Sequence, residues 1–443
     1  MTDELFTPIF VPVALREAVS DRAWLQAMLD AEVALARAEA AAGVIPAGAA
    51  EAISACCDAG RFEIASFAER ARRIGSPVEP LVRALAEAAG DAGRYVHWGA
   101  TSQDIVDTAA MLVARDALDL ILGDVDAVAA CCASLAETYR STPIAGRTLM
   151  QQALPTTFGL KAAGWLVGVV EARSRLAAVR EERLAVQLGG GAGTLAALGE
   201  QGPAVLARFA EELDLAEPAL PWHANRARIA ELAAALDLTA GALSKLALDV
   251  VLLSQTEVAE VAESGAGGSS TMPHKRNPTG SILAIACARR VHAQASLLTG
   301  GLAQEHERAA GGWHAEWQPL SDALALTGGA AAAMHEVMHG LEVNPERMRA
   351  NLDATGGLIM AERITYLLAV RIGRTAAHEL VSKASARAVA AGRPLRAELE
   401  ADPRVELSPP ELDAAFDPTG YLGSAEAFVD RALDLYRQRG GMR

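Results

Sequence analysis

The chain has 443 residues, of which 51% are apolar and only 4% aromatic, and its formal net charge at pH 7 is −15. A chain this acidic is a poor candidate for binding nucleic acid or an anionic membrane, because their phosphates repel it. Its apolar runs are interrupted by charges before about 18 residues, which predicts no membrane-spanning helix. Five cysteines without C-x-x-C spacing favour a reducing compartment over a disulfide framework or zinc ribbon. The N-terminal residues show no signal-peptide pattern, so we expect a cytoplasmic protein.

Five long helices are predicted in the middle of the chain. Apolar residues recur at helical spacing after Ile105, as in Val106, Ala110 and Val113, and form one stripe. The predicted helices occupy residues 105–139, 156–187, 227–263, 281–300 and 322–340. Strand signals are weak, because alternating β-branched runs are few and none is joined by an Asn-Gly turn. The pattern predicts an all-α fold with a helical bundle at its centre.

The flanking regions have shorter helices and loops. We therefore expect an N-terminal helical domain at 1–104, a central five-helix bundle domain at 105–345 and a C-terminal helical domain at 346–443. The long central helices have more alanine- and valine-rich surface than one bundle normally needs to bury. This surplus favours burial of a second helix face against a partner subunit.

Two short motifs suggest other chemistries. Gly189–Thr194 (GGGAGT) lacks the G-x-G-x-x-G order, the preceding strand and the G-K-[ST] of phosphate loops, so we interpret it as a helix break lining a cavity. His335–His339 matches the zinc-binding pattern H-E-x-x-H, with both histidines on one helix face. No third histidine follows at the spacing of the longer zinc motifs. We therefore favour a half-exposed helix face without metal.

One loop carries the strongest functional signal. Residues 263–278 are ESGAGGSSTMPHKRNP, in which glycines permit left-handed backbone and prolines block helix continuation. Within this loop, GSSTMPHKRNP at Gly268–Pro278 resembles the signature G-S-S-x-M-P-x-K-x-N-P of the fumarase/aspartase superfamily at every fixed position. HWGATSQD at His97–Asp104 resembles the H-x-G-x-T-S-x-D block of that superfamily, and Gly146–Gly159 resembles its second block.

The resemblance extends over almost the whole chain. It implies a three-domain α-helical fold and a homotetramer with a core of twenty helices, in which three subunits share each active site. Further blocks, VHWGATSQDIVDT, QLGGGAGTLAALG and DPTGYLGSA, resemble the subfamily that converts 3-carboxy-cis,cis-muconate to 4-carboxymuconolactone in the β-ketoadipate pathway of aromatic degradation. The resemblance implies a small polycarboxylate substrate, no cofactor and no metal.

The chemistry of the superfamily explains why these residue types recur. A proton moves on the carbon beside a carboxylate, and the doubly charged aci-carboxylate intermediate needs cations and N–H donors around it. By resemblance, Ser269 is the catalytic base or acid, and Lys275 with the glycine-rich turn stabilises its alkoxide. His97 is the third catalytic candidate. Outside this loop context, Ser269 would be interpreted as a helix cap or a loop hydroxyl.

The other candidates bind carboxylates of the substrate. Lys275 and Asn277 offer a charge and an amide donor to one carboxylate. Thr101 and Ser102 offer hydroxyl and N–H donors to another, although capping of the first long helix also explains them. An alternative role for His97 is to orient the Thr101 turn. The remaining substrate-binding candidates are Gln151, Ser270 and Arg308.

One position departs from the superfamily pattern. Members that expel an amine or hydroxide have a histidine two residues after the arginine of the second block, whereas this chain has Arg147-Thr148-Leu149. Leucine cannot donate the proton that such leaving groups need. A carboxylate, with an ordinary pKa of about 4, leaves as a stable anion without that proton. The departure favours a muconate lactone, and second a nitrosuccinate, over adenylosuccinate, argininosuccinate and fumarate hydration.

Three hypotheses remain open. The first is a cycloisomerase, with a lyase acting on a substituted succinate as its alternative. The second is a zinc hydrolase built on HEVMH, which an equimolar zinc content lost together with activity on chelation would favour. The third is a non-catalytic structural protein, against which the presence of Ser269, Lys275 and Asn277 argues.

Overall fold

In the described residues up to position 101, the chain forms six α-helices. The computed structural model describes residues 5–265, 267–268, 272 and 274–439. The helices are α1 (Thr7–Phe10), α2 (Val13–Ala18), α3 (Asp21–Ala41), α4 (Ala47–Ser54), α5 (Ile64–Ile74) and α6 (Val78–Ala88). Short 3₁₀ helices follow α4 at Ala59–Arg61 and α6 at Gly90–Tyr95.

Helix α3 has one buried stripe that contains two acids. The Ser20 hydroxyl caps the helix by accepting a hydrogen bond from the N–H of Ala23. Leu25 and Leu29 are buried at helical spacing, as the apolar periodicity of the segment requires. Glu32 and Glu39 continue the same stripe and are also buried. Two carboxyl groups therefore lie on the face that packs against the rest of the protein.

Six further α-helices follow in the described residues between positions 102 and 339, and all but α9 are long. They are α7 (Ser102–Thr138), α8 (Phe158–Glu182), α9 (Gly202–Leu213), α10 (Ala227–Leu253), α11 (Thr279–Gly300) and α12 (Gly312–His339). The five long helices predicted from the sequence are confirmed, and the prediction of an all-α fold is correct.

Three predicted helix boundaries were wrong. Helix α8 ends at Glu182 rather than near residue 187. Helix α10 ends at Leu253 rather than at residue 263, because the chain then turns through Ala259, whose φ is +50°, and Glu260 is buried beside Arg147. Helix α12 begins at residue 312 rather than 322, because it continues through Pro319, which removes one backbone donor without ending the helix.

The strands are short and form three two-stranded antiparallel sheets in the described part of the chain. They are β1 (Pro143–Thr148), β2 (Gln151–Thr157), β3 (Val261–Glu263), β4 (Gly267–Gly268), β5 (Arg276–Asn277) and β6 (Leu341–Val343). Strand β1 pairs with β2, β3 with β6, and β4 with β5. The β4–β5 pair joins the two arms of the signature loop by backbone hydrogen bonds, and the β3–β6 pair fixes the segment that leads into it.

The β1–β2 hairpin has an unusual turn. Leu149 and Met150 form it with φ of +48° and +66°, and their exposed fractions are 97% and 71%. Two successive left-handed residues normally require Asn or Gly, because a Cβ is disfavoured there. The sequence contains no such turn signal, which is why the hairpin was not predicted.

From position 345 to position 439, where the description of the chain ends, there are six more α-helices. They are α13 (Pro345–Asp353), α14 (Ala361–Ile372), α15 (Arg374–Ala391), α16 (Leu395–Glu400), α17 (Pro409–Phe416) and α18 (Ala425–Gln438). Helices α13 to α16 enclose one apolar cluster in which Leu352, Ile364, Leu368, Leu380 and Leu399 are buried.

The described chain divides into two compact units. One contains the chain up to Val125 together with Ala172–Ser244 and Leu283–Ala333. The other contains Asp126–Glu171, Lys245–Ile282 and the chain from Met334 onward. Each of the five long helices contributes residues to both units. The three-domain division near residues 104 and 345 stays a prediction.

The helices also differ from membrane spans in their hydropathy. Within the described ranges, none of them combines the length and apolar character needed to cross a bilayer.

Glu39 is a buried acid without a hydrogen-bond partner. Its side chain has 0% exposure, and neither carboxyl oxygen has a partner among the described residues. Burial raises its pKa from 4.5 to about 9, and the nearby charge of Glu32 adds to the shift. At neutral pH the folded protein therefore holds a proton on Glu39 that the unfolded chain releases.

We predict that Glu39→Gln will increase stability at pH 8 more than at pH 5. The unfolded acid ionises near pH 4.5 and the folded acid near pH 9, so the folded wild type binds more protons between these values. Its unfolding free energy then falls with rising pH by up to about 1.4 kcal/mol per pH unit relative to the glutamine variant. Urea denaturation at several pH values measures the difference.

The control for this measurement is Glu87→Gln, which changes an exposed glutamate on α6. Its effect should stay within about 0.5 kcal/mol at every pH. A constant difference between the Glu39→Gln variant and the wild type from pH 5 to pH 8 would contradict the neutral state of Glu39.

Candidate functional site

A buried carboxylate organises the first sequence block. Asp104 lies in the first turn of α7 and has 0% exposure. Its Oδ2 accepts hydrogen bonds from the N–H groups of Thr101 and Gly190, both at 2.9 Å. Its Oδ1 accepts from the N–H of Gly189 at 3.0 Å and lies 2.7 Å from His223 Nε2. These partners offset the cost of removing the charge from water.

Glycine is required where the backbone approaches Asp104. A Cβ on Gly189 would lie 2.7 Å from Pro221 Cβ and 2.8 Å from His223 Cε1. A Cβ on Gly190, whose φ is +69°, would lie 2.9 Å from a backbone oxygen. The GGGAGT segment thus directs two N–H groups at a carboxylate of its own chain, which supports the structural interpretation over a phosphate loop.

Arg308 joins the glycine segment to the first block. Its guanidinium donates to Thr101 Oγ1 at 2.7 Å and to the carbonyl oxygens of Gly191 and Gly190 at 3.1 and 3.3 Å. Thr101 immediately precedes α7 and Ser102 is its first residue, so both lie at a helix N-terminus. These contacts fix the turn that contains Thr101. Substrate binding by Thr101, Ser102 and Arg308 stays a prediction.

His97 has a strained backbone at the start of the same block. Its φ is +60°, a left-handed conformation that costs a residue with a Cβ roughly 1–2 kcal/mol. Its Nδ1 lies 2.7 Å from Oε1 of Glu32, whose side chain is 1% exposed, whereas 17% of the His97 side chain is exposed. Burial lowers the pKa of His97, but the charge and hydrogen bond of Glu32 and the charge of Asp104 raise it more. The net shift favours the imidazolium form.

A second buried charge cluster lies one turn further along α7. Arg226 is 1% exposed and donates to both oxygens of Asp107, at 2.8 and 3.0 Å, and to Glu316 at 2.6 Å. Trp313 Nε1 donates to Asp107 at 3.0 Å, and the Arg226 guanidinium lies over the ring of Trp222. Burial disfavours the charge of Arg226, but the two carboxylates raise its pKa above the usual value. This cluster fixes the start of α10 and α12 against α7.

The arginine of the second block is bound to a buried acid. Arg147 donates to both oxygens of Glu260 at 2.8 Å, and Glu260 is fully buried. Asn351 Nδ2 donates to the same carboxylate at 2.8 Å. The ion pair holds β1 against α13 and the segment after α10. The positive charge of Arg147 is therefore balanced by a carboxylate of the same chain.

The hairpin tip places an apolar side chain at the position of the superfamily histidine. Leu149 is almost fully exposed there, and Met150 follows it. Gln151 begins β2, pairs with Thr148 in the hairpin register and is exposed. Substrate binding by Gln151 stays a prediction.

The residues at the base of the signature loop form hydrogen bonds with neighbouring strands. Gly267 pairs with Asn277, and Gly268 pairs with Arg276. The Arg276 guanidinium donates to the two carboxylate oxygens of Glu342 on β6, at 3.0 and 2.8 Å. These contacts fix the second arm of the loop next to β6.

Glu263 connects the first arm of the loop to α11. Its carboxylate accepts from the N–H groups of Gly280 and Ser281, at 3.0 and 2.9 Å, and from the Ser281 hydroxyl at 2.6 Å. It therefore caps the helix that follows the loop. Lys275, between these anchors, is exposed.

The predicted site residues fall into two groups. His97, Thr101, Ser102 and Arg308 belong to the first compact unit, where the turn beside Asp104 brings them together, and Gln151, Lys275 and Asn277 belong to the second. Ser269 and Ser270 lie outside the described residues. Their catalytic and binding roles stay predictions.

Sequence reasoning missed the acids that support this arrangement. One signal was available, since Thr101-x-x-Asp104 matches a capping box, in which the side chain of the third helical residue accepts from the cap N–H. A second signal was the position of Glu32 on the apolar stripe of α3. No comparable sequence pattern predicts the buried ion pairs of Glu260 and Arg226, because their partners are remote in sequence.

The HEVMH motif lies at the end of α12. His335 is partly buried, and His339 is exposed at the last helical residue. Among the residues that the structure describes, no group of three or more His, Cys, Asp or Glu side chains is arranged to hold a metal ion. Two histidines alone do not complete a zinc site.

Two family models match the chain. Residues 12–293 match the lyase family, and residues 357–432 match the adenylosuccinate lyase C-terminus family. The first match covers the block around Asp104, the hairpin and the signature loop.

Proteins of known name are similar over nearly the whole chain. A 3-carboxy-cis,cis-muconate cycloisomerase of Bradyrhizobium diazoefficiens is 49% identical, over 97% of each chain. A nitrosuccinate lyase of Streptomyces davaonensis is 46% identical, over 97% of this chain and 94% of its own. The crystal structure of 3-carboxy-cis,cis-muconate lactonizing enzyme from Pseudomonas putida matches with a TM-score of 0.95 at 46% identity, over 99% of this chain and 100% of its own.

We predict that Asp104→Asn will lower the unfolding free energy by about 3–5 kcal/mol, the scale for breaking a buried charged network. An amide has one acceptor oxygen in place of two, so part of the four-donor shell around this position is left unpaired. Chemical denaturation followed by circular dichroism measures the change.

The matched control is Asp116→Asn on the same helix, where an exposed carboxylate contacts the Arg115 guanidinium at 3.2 Å. We expect a change within about 0.5 kcal/mol for this exposed pair. Equal effects of the two substitutions would refute the organising role of Asp104.

Proposed function

The chain belongs to the fumarase/aspartase superfamily of lyases, and we propose that it cycloisomerises 3-carboxy-cis,cis-muconate to 4-carboxymuconolactone. The observation that carries the proposal is 49% identity over 97% of both chains to a 3-carboxy-cis,cis-muconate cycloisomerase. In this reaction a carboxylate oxygen of the substrate adds to a double bond, and the carbon beside another carboxylate gains a proton. The aci-carboxylate between these steps needs positive charge and N–H donors.

The roles of the site residues follow from this chemistry. Ser269 carries the proton, and Lys275 stabilises the charge that develops on it. Lys275 and Asn277 also bind one substrate carboxylate, which the exposed position of Lys275 supports, and Ser270 is a further substrate-binding residue of the same loop. The remaining substrate-binding residues are Thr101, Ser102, Gln151 and Arg308, and His97 supplies further positive charge.

The presence of Leu149 favours a substrate whose leaving group is a weak base. Its apolar side chain occupies the position where superfamily members that release amines have a histidine, and it cannot protonate a leaving group. The second candidate is elimination of nitrite from nitrosuccinate, favoured by the 46% identity to a nitrosuccinate lyase. Adenylosuccinate is disfavoured, because its leaving amine requires a proton.

We also propose a cytoplasmic homotetramer in which three subunits share each active site. The long helices expose large apolar side chains, as expected if they pack against other subunits. These side chains are Leu120, Leu238, Leu248, Ile282 and Leu297. Division of the site residues between two compact units is compatible with sites completed by more than one chain.

The purified protein is expected to consume 3-carboxy-cis,cis-muconate, with loss of the ultraviolet absorbance of the diene. Ser269→Ala should lower turnover by at least about a hundredfold, the usual scale for losing a positioned acid or base. Parallel assays follow nitrite released from nitrosuccinate and AMP released from adenylosuccinate.

The control variant is Ser296→Ala, an exposed serine on α11 that should retain wild-type turnover. Retention of more than about a tenth of the activity by Ser269→Ala would exclude Ser269 as the proton carrier. Robust AMP release by the wild type would overturn the assignment of the substrate class.

Sedimentation should give the mass of four chains of 46.2 kDa. A double variant, Leu238→Glu with Leu248→Glu, should dissociate the protein and abolish activity, because charges then replace apolar contacts on α10. Dialysis against EDTA should leave both the mass and the activity unchanged.

Val389→Glu is the matched control, since it adds a charge at an apolar residue of α15 that is 67% exposed. It should remain tetrameric. A stable and fully active wild-type monomer would rule out sites shared between subunits.

A further inference from the structure

We infer that Glu32 is a positioning residue that holds the His97 imidazolium with Nε2–H available to an anionic ligand. This inference rests on the proposed function, because it assigns the ligand as a carboxylate of the substrate. Glu32 lies on α3, far in sequence from every block that resembles the superfamily. Its carboxylate is buried, while the ring that it contacts is partly exposed.

The geometry assigns separate tasks to the two ring nitrogens. Nδ1 lies 2.7 Å from Oε1 of Glu32, a short distance that is typical of a charged hydrogen bond. Because a carboxylate only accepts, Nδ1 carries a proton. Nε2 is then the ring nitrogen that remains for a ligand, and it is a donor only when the ring is charged.

The backbone of His97 supports a role beyond packing. A left-handed φ of +60° is costly for histidine, and such strain persists only where surrounding contacts determine the conformation. The hydrogen bond to Glu32 supplies one of these contacts. The strained residue lies four positions before Thr101, whose hydroxyl is held by Arg308. Two cationic side chains therefore flank the same turn.

Glu32 and Asp104 are the negative groups that act on His97, and two titratable neighbours of Glu32, Glu39 and Cys57, add no charge at neutral pH. Burial raises the pKa of Glu39 to about 9, so this acid is neutral at pH 7. Burial also raises the pKa of Cys57 to about 12, so its thiol is neutral as well. Asp104 is shared among four other partners, whereas Glu32 contacts His97 directly. Removal of the Glu32 charge should therefore have the largest effect on the ring.

The test measures the titration of His97 directly. Protein labelled with ¹³C at histidine Cε1 is titrated by NMR, and the His97 resonance is identified by its loss in His97→Gln. In Glu32→Gln the amide oxygen still accepts from Nδ1, but the charge is gone, so the pKa of His97 should fall by about 1 unit or more. Glu39→Gln, a buried glutamate on the same helix without contact to His97, should leave it unchanged.

Kinetic measurements then test whether the positive charge of His97 contributes to catalysis. At pH 7, kcat/KM of Glu32→Gln for 3-carboxy-cis,cis-muconate should fall by the ratio of the imidazolium fractions that the two NMR titrations give at that pH, which is at most about tenfold per unit of pKa lost. Most of this loss should be recovered when the pH is lowered below the new pKa of His97. Glu39→Gln should retain the wild-type profile over the same range.

The following outcomes support or overturn the positioning role of Glu32. Equal titrations of His97 in the wild type and in Glu32→Gln, or a loss of activity that does not depend on pH, would overturn it. If Glu32→Gln does not fold, a wild-type pKa of His97 at or below its ordinary value near 6.5 would also overturn it, and a higher value would support it. If the wild type does not convert 3-carboxy-cis,cis-muconate but His97 titrates as expected, the proposed function is refuted and the Glu32–His97 pairing is retained.

Discussion

The buried carboxylate of Asp104 is the constraint on which the rest of the first unit depends. A carboxylate with no exposed surface is tolerated only when donors surround it, so three backbone N–H groups and the His223 ring must remain in place. This requirement fixes the Thr101 turn and the glycine segment relative to α7. The same helix carries Asp107 one turn later, where Arg226 supplies the donors. Two successive acids on α7 thus organise the segments around its first turns.

The chain is strongly acidic, yet it is proposed to bind a polyanion. Its arginines near the sequence blocks differ in how their charge is balanced. Arg147, Arg226 and Arg276 each bind carboxylates, so their charge is compensated within the chain. Arg308 instead donates to a hydroxyl and two carbonyl oxygens, all of which are neutral. Among these arginines, Arg308 is therefore the one whose positive charge is left for an incoming anion.

The sequence predicted features that depend on local pattern. Helical periodicity identified the five long helices, and the signature loop identified the superfamily. Features that depend on distant partners were not predictable. Helix α10 ends early because Glu260 meets an arginine more than a hundred residues away, and the hairpin turn at Leu149 lacks Asn and Gly. Ser269, the most specific prediction, lies outside the described residues, so the structure does not test it.

Glu39, the buried acid on α3, has no hydrogen-bond partner among the described residues. Its neutral state couples folding of the chain to the uptake of a proton. A chain that folds at neutral pH must take up a proton for Glu39, since the unfolded carboxyl is ionised and the folded one is not. The solvent buffer supplies that proton. The heat of folding measured by calorimetry then includes the ionisation enthalpy of the buffer, so that phosphate and Tris solutions at one pH report different enthalpies for the same structure.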